Sequence, residues 1–216
     1  MKLYSYFRSS AAYRVRIALH IKGLPFETVA VHLRKGAGQQ FEDAYRALNP
    51  MALVPTLVDG DLVVSQSMAI LEYLEEAYPD PALLPSGAPA RARVRAIAQA
   101  IACDIHPLNN LRVLKYLKND LKIGEDGKNA WYRHWVELGL AAVERMLADH
   151  PRTGRYCHGD HPTFADLCLV PQVANARLFE CDLSAMPTVL RIDEACSELL
   201  AFQNAAPAAQ PDANQG

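Results

Sequence analysis

The sequence predicts an α/β unit followed by an all-α unit, and three observations carry that prediction. Strand-like alternation and helical spacing take turns over the first 80 residues, a proline-rich stretch (PDPALLPSGAP, 79–89) then punctuates the chain, and beyond it only helical periodicity persists. The boundaries that follow are 1–80 for the first unit, 81–89 for a linker, 90–204 for the helical unit and 205–216 for a loose tail.

The opening residues, MKLYSYFRSSAAYRVRIALH, read as an alternating apolar strand (Leu3, Tyr4, Tyr6, Phe7). It runs through Arg8-Ser9-Ser10 into helical spacing at Tyr13, Ile17, Leu19 and Ile21. Gly23-Leu24-Pro25 stops that helix by placing a C-cap residue before a ring that cannot continue it. FETVAVHL (26–33), alternating and β-branched, gives a second strand, parallel to the first through the helical crossover. Residues 39–48 make a short helix, Asn49-Pro50 and Val54-Pro55 interrupt, and TLVDGDLVV is a hairpin signal with Asp59-Gly60 at its turn. Ser65-Gln66-Ser67 then opens a helix over 68–77, apolar at Ile70, Leu71 and Leu74. The sum is βαβ followed by αββα, a small mixed sheet carrying helices.

In the second unit, 90–119 reads as one long helix burying Val94, Ile97, Ile101, Ile105 and Leu108. Pro107 removes the helical hydrogen bond to the carbonyl of Cys103 and kinks it. A second helix covers 128–149, a third starts at the capping box Thr163-x-x-Asp166 directly after Pro162, and a fourth spans 187–203. The tail AAPAAQPDANQG holds too few apolar side chains to pack.

A chain of 216 residues, 50% of them hydrophobic, can bury a substantial core, and a net charge of −2 argues against a nucleic-acid partner. No run of 18 apolar residues and no signal-peptide pattern occurs, so the expectation is a cytoplasmic protein with no membrane partner. Five cysteines, none at two-residue spacing, read as small buried hydrophobes in a reducing compartment rather than disulfides or a zinc site. His158, Asp160 and His161 sit in a Gly/Pro loop rather than on one helix face, and no metal is expected.

Chemistry concentrates where the first strand meets the first helix. Ser9 and Ser10 place two hydroxyls at a helix N-terminus, where unpaired N–H groups and the helix dipole favour an anion. A bound thiolate suits that place. In the long helix His106 and Asn110 are four apart and share a face, whereas Arg112 lies about 200° round from Asn110 on an ideal helix.

The strings YFRSS, RVRIAL, ALNP, LVPTL, QSMAILEYLEE, ADLCLVPQVANA and QPD, in this order, resemble the zeta-class glutathione transferases. The resemblance runs from residue 1 to about 212 and points to the glutathione-dependent maleylacetoacetate and maleylpyruvate isomerases. It implies a thioredoxin-like N-terminal domain, an all-α C-terminal domain, glutathione as cofactor, a homodimer, and cis-trans isomerisation of a small dicarboxylate in aromatic catabolism. It further implies that Ser9, with Ser10 in reserve, donates a hydrogen bond to the glutathione sulfur. The backbone of Val54, before a cis Pro55, would pair with the peptide, Gln66 and Ser67 would hold the γ-glutamyl carboxylate, and Gln40 the glycyl end. His106, Asn110 and Arg112 would line the glutathione site, and Arg8 and Arg177 would draw the substrate carboxylates.

Two departures stand out. Ala11 replaces the cysteine of many members, and in Ala176-Arg177-Leu178-Phe179 the family's arginine before phenylalanine is displaced by one position, a helix step of about 100°. A second enzymatic reading is a transferase that conjugates or dehalogenates small electrophiles such as α-halo acids. A third is a non-enzymatic binding module, which the intact Ser9, Val54-Pro55 and Gln66-Ser67 speak against.

Overall fold

The computed structural model describes residues 1–213, which divide into two compact units: Met1–Leu83 together with the chain from Ser197 onward, and Leu84–Cys196.

The first unit is built on a four-stranded sheet of order β2-β1-β3-β4, comprising β1 (Lys2–Ser5), β2 (Glu27–Ala30), β3 (Thr56–Asp59) and β4 (Leu62–Ser65). β1 pairs parallel to β2, as the helical crossover requires, and antiparallel to β3, with Leu3 opposite Leu57 and both fully buried. β3 and β4 close through the two-residue turn Gly60-Asp61, where Gly60 takes a φ of +59°, a conformation that favours glycine. The crossover helix α1 (Ser10–Ile21) packs on α3 (Ser67–Ala77), and Ile17, Leu19, Ile70, Leu71 and Leu74 are removed from solvent. The helix expected over 39–48 is two pieces, a 3-10 turn (Gln39–Phe41) and α2 (Asp43–Leu48), because Glu42 between them is extended (φ −65°, ψ 141°).

The tail expected to be loose is packed as far as Ala213; residues 214–216 lie outside the described residues. The helix α9 (Leu200–Ala205), which leads into the tail and shares only Ala205 with it, seats Phe202 and Ala205 against α1. Tyr13 Oη donates to Phe202 O (3.2 Å), Arg16 Nε to Ala205 O (2.9 Å), and Phe7 N to Asp212 Oδ2 (2.9 Å). Counting apolar side chains missed this because much of the anchorage is polar, supplied by groups some two hundred positions upstream. Beside the start of the proline-rich stretch, the buried ion pair Lys22–Glu75 (3.0 Å) also binds Tyr78 O, Pro81 O and Leu83 N.

The second unit contains α4 (Ala88–Gln99), α5 (Leu111–Asn119), α6 (Glu125–Leu147), α7 (Phe164–Leu178) and α8 (Pro187–Ser197). The single kinked helix expected over 90–119 is instead interrupted. After α4 the backbone widens into a π-helical stretch (Ala100–Ile105), tightens into a 3-10 turn (His106–Asn109) and leaves the helix at Asn110 (φ −63°, ψ 145°). Pro107 has no N–H to continue the ladder, and the changes of pitch absorb the missing bond. Leu108, expected in the core, is only partly buried. The capping box forms as expected: Thr163 N and Oγ1 donate to Asp166 Oδ2 (2.8 and 2.9 Å), while Cys157 N donates to Oδ1 (2.8 Å). The helix expected over 187–203 ends at Ser197, and the extended Leu199 separates it from α9 of the first unit.

Candidate functional site

One end of the sheet gathers most of the residues singled out in the first unit. Tyr4 lies opposite Thr56 and Thr56 opposite Ser65, so the exit of β1 toward Ser9, the entry to β3 through Val54-Pro55, and the exit of β4 toward Gln66-Ser67 share that end. β2 runs parallel to β1, so the segment leading to Gln40 leaves from the same end.

Ser9 is the N-cap of α1: its backbone is extended (φ −73°, ψ 113°) and its Oγ accepts from Ala12 N at 3.2 Å. An oxygen that accepts the cap bond still has its own proton to donate. Ser10, the first residue of α1, is buried, and Arg8 is exposed beside the Phe7 ring, 5.9 Å from its centroid. The turn is held from inside by Arg16, whose guanidinium donates to Ser5 Oγ (3.0 Å), Tyr6 O (3.4 Å) and Phe7 O (3.2 Å). Burial lowers the Arg16 pKa to about 10, where it remains a cation at neutral pH.

Val54-Pro55 is cis, as the resemblance implies, and both residues are buried. Their loop is clamped by two side chains. Asn49 Nδ2 donates to Leu53 O (2.7 Å) and Thr56 Oγ1 (3.2 Å), and Tyr45 Oη donates to Leu53 O (2.6 Å). Gln40 is buried with its Oε1 unpartnered among the described residues. Gly38 beside it takes a φ of +105°, a conformation that favours glycine, and a Cβ there would meet that amide at 2.7 Å.

At the start of α3, Gln66 is exposed and adopts φ +72°, an uncommon conformation for a residue with a Cβ, while its carbonyl accepts the helix bond from Ile70 N (3.0 Å). Ser67 is buried and its Oγ accepts from Arg14 Nη1 (3.1 Å).

In the helical unit the interruption brings Asn110 Nδ2 to 3.5 Å from His106 Nε2, while Asn110 Oδ1 caps α5 by accepting from Arg112 N (3.1 Å). The Arg112 side chain is exposed. Arg177, on α7, is paired with Asp193 of α8 (2.6 Å), so its charge is matched inside the unit. Burial pushes the Asp193 carboxyl up and Arg177 pulls it back.

Sequence reasoning missed Arg14, Arg16, Tyr45, Asn49 and Asp212. One signal was present: arginines set in an apolar helical run are buried only with partners, so RVRIAL announced hydrogen bonds to be found.

Residues 1–76 match the family described as glutathione S-transferase, N-terminal domain. The chain is similar to a maleylpyruvate isomerase of Ralstonia sp, 52% identical over 212 residues and covering 98% of this chain and 99% of the relative. Among solved structures it is similar to the holo structure of maleyl pyruvate isomerase, a bacterial glutathione S-transferase in zeta class (TM-score 0.95, 52% identity, 98% of this chain and 99% of that one). It is also similar to a maleylacetoacetate isomerase from Anaeromyxobacter dehalogenans 2CP-1 with bound dicarboxyethyl glutathione and citrate (TM-score 0.86, 47% identity, 98% and 96%).

Proposed function

This chain belongs to the zeta-class glutathione S-transferases, and we propose that within that family it is a glutathione-dependent cis-trans isomerase of maleylpyruvate or maleylacetoacetate. The observation that carries the reading is the convergence of the Ser9 hydroxyl, the Val54-Pro55 loop and the Gln66-Ser67 helix start at one end of the sheet.

The residues present suit glutathione. Ser9 has a proton to donate to sulfur, Val54 offers backbone for a peptide, Gln40 keeps a buried oxygen with no partner among the described residues, and Ser67 opens a helix whose first amides have no intrahelical acceptor. When bound, glutathione supplies a thiolate whose reversible attachment lets a conjugated double bond rotate. Ser9 and the α1 N-terminus favour the charged sulfur. Moving a thiol from a pKa near 8.5 down by about two units takes ~2.7 kcal/mol, within reach of one hydroxyl bond plus a helix end. Arg8, exposed next to Ser9, is the cation placed to attract a substrate carboxylate. His106, Asn110 and Arg112 are assigned to the glutathione site by the family resemblance, which also supports a cytoplasmic homodimer in aromatic catabolism.

The dicarboxylate character of the substrate is supported by the relative with bound dicarboxyethyl glutathione and citrate. Purified protein given catalytic glutathione and either substrate is expected to isomerise it with no net loss of glutathione, and Ser9→Ala to lower kcat about a hundredfold. The pairing of Arg177 with Asp193 keeps the transferase reading in play. If the protein binds glutathione yet turns over neither substrate, conjugation or dehalogenation of small electrophiles takes its place.

A further inference from the structure

Arg14 is 1% exposed, yet among the described residues its side chain makes a single hydrogen bond, from Nη1 to Ser67 Oγ at 3.1 Å. Its Nε and Nη2 are buried without a partner among the described residues. The neighbouring buried cations of the same unit are served otherwise. Arg16 donates to Ala205 O, Ser5 Oγ, Tyr6 O and Phe7 O, and Lys22 is paired with Glu75 and two carbonyls. A guanidinium out of water with open donors is costly unless an anion accompanies it, and an arginine can bind a carboxylate through more than one N–H.

Arginine has no acceptor, so Ser67 Oγ must be the acceptor of the Arg14 bond. The Ser67 proton is thereby directed away from Arg14. Ser67 is also the first residue of α3, where the helix dipole favours a negative charge. Arg14 therefore contributes charge beneath that helix start and sets the direction in which the hydroxyl donates. It also ties the start of α3 to α1, the helix that Ser9 caps, five positions before it.

We propose that Arg14 is the buried counter-charge for the γ-glutamyl α-carboxylate of glutathione, acting through Ser67 as a positioning residue. The proposal rests on the placement of that carboxylate at the start of α3 made above. Arg14 would then be what distinguishes a ligand with an α-carboxylate from one without.

The test is calorimetric titration of glutathione and of 4-aminobutyryl-cysteinyl-glycine, which lacks only that carboxylate. The wild-type protein is expected to prefer glutathione about a hundredfold, and Arg14→Met to reduce the preference to about tenfold or less while the analogue binds as before. Arg14→Lys, which keeps the charge but not the fork, should fall between them. If Arg14→Met does not fold, Arg14→Gln removes the charge while leaving a donor for Ser67, and the ratio is read in the same way. A charge-removing variant that keeps the full preference, even with both affinities lowered together, overturns the proposal and leaves Arg14 a purely structural tie. A wild-type protein that binds both ligands equally overturns the placement of the carboxylate itself, and the proposal with it.

Discussion

The two units assemble their candidate groups in opposite ways. In the α/β unit the groups sit at the ends of regular elements, the α1 N-cap, the entry to β3 and the first turn of α3, and the sheet register carries them to one end. In the helical unit His106 and Asn110 meet where regularity fails, between a π-helical stretch and a new N-cap. The first arrangement depends on backbone held by distant anchors, whereas the second depends on one local break. Mutations that remove anchors should therefore do more harm in the first unit than loss of a cap does in the second.

The strongest challenge to the α/β unit is truncation before Leu200. Removing α9 strips the cover from α1 and leaves buried Arg16 without Ala205 O, and the Phe202 side chain alone is worth roughly 3–5 kcal/mol. No cooperative unfolding transition is expected for the truncated chain, and a wild-type-like denaturation curve would show that the tail anchors nothing. Next comes Asn49→Ala, which leaves Leu53 O and Thr56 Oγ1 to Tyr45 alone. A loss of about 2–3 kcal/mol in urea unfolding is expected, together with weaker glutathione binding. Asn110→Ala in the helical unit should cost only about 1 kcal/mol, the worth of a cap. If it costs as much as Asn49→Ala, the contrast between the units fails.

Thiol labelling sharpens the same contrast, because all five cysteines lie in the helical unit. Exposed Cys103 should react first and Cys181 slowly, its thiol pushed up to about 11 by partial burial and then by Glu137. Buried Cys157, Cys168 and Cys196 should react only when that unit opens, as mass spectrometry of partly unfolded samples would record.

The smallest effect is shared. Burial lowers the pKa of His20 in the first unit and of His158 in the second from the ordinary value of 6.5. The unfolded chain therefore takes up protons before the folded one, and stability should decline as pH falls through about 6.5. A modest drop in melting temperature between pH 7.5 and 5.5, reduced in His20→Gln, is the expected result.

Much of this molecule was legible from neighbours a few positions apart. The Ser9 cap, the Thr163–Asp166 capping box, the 60–61 turn and the strand-helix order all depend on contacts within a turn or a hairpin, and alternation or helical spacing declares them. The interruption at 100–110 was half visible: Pro107 signalled a broken ladder, but whether a helix kinks or changes pitch depends on what packs around it. The Ser67 partner of Arg14, the Ala205 partner of Arg16 and the Asp212 partner of Phe7 were hidden, since they join residues 53 to 205 positions apart. Local spacing settled the order and type of most elements and which of their termini can hold an anion. Only the folded chain decided which buried charges are matched, because a hydrogen bond between distant residues leaves no periodic trace in either.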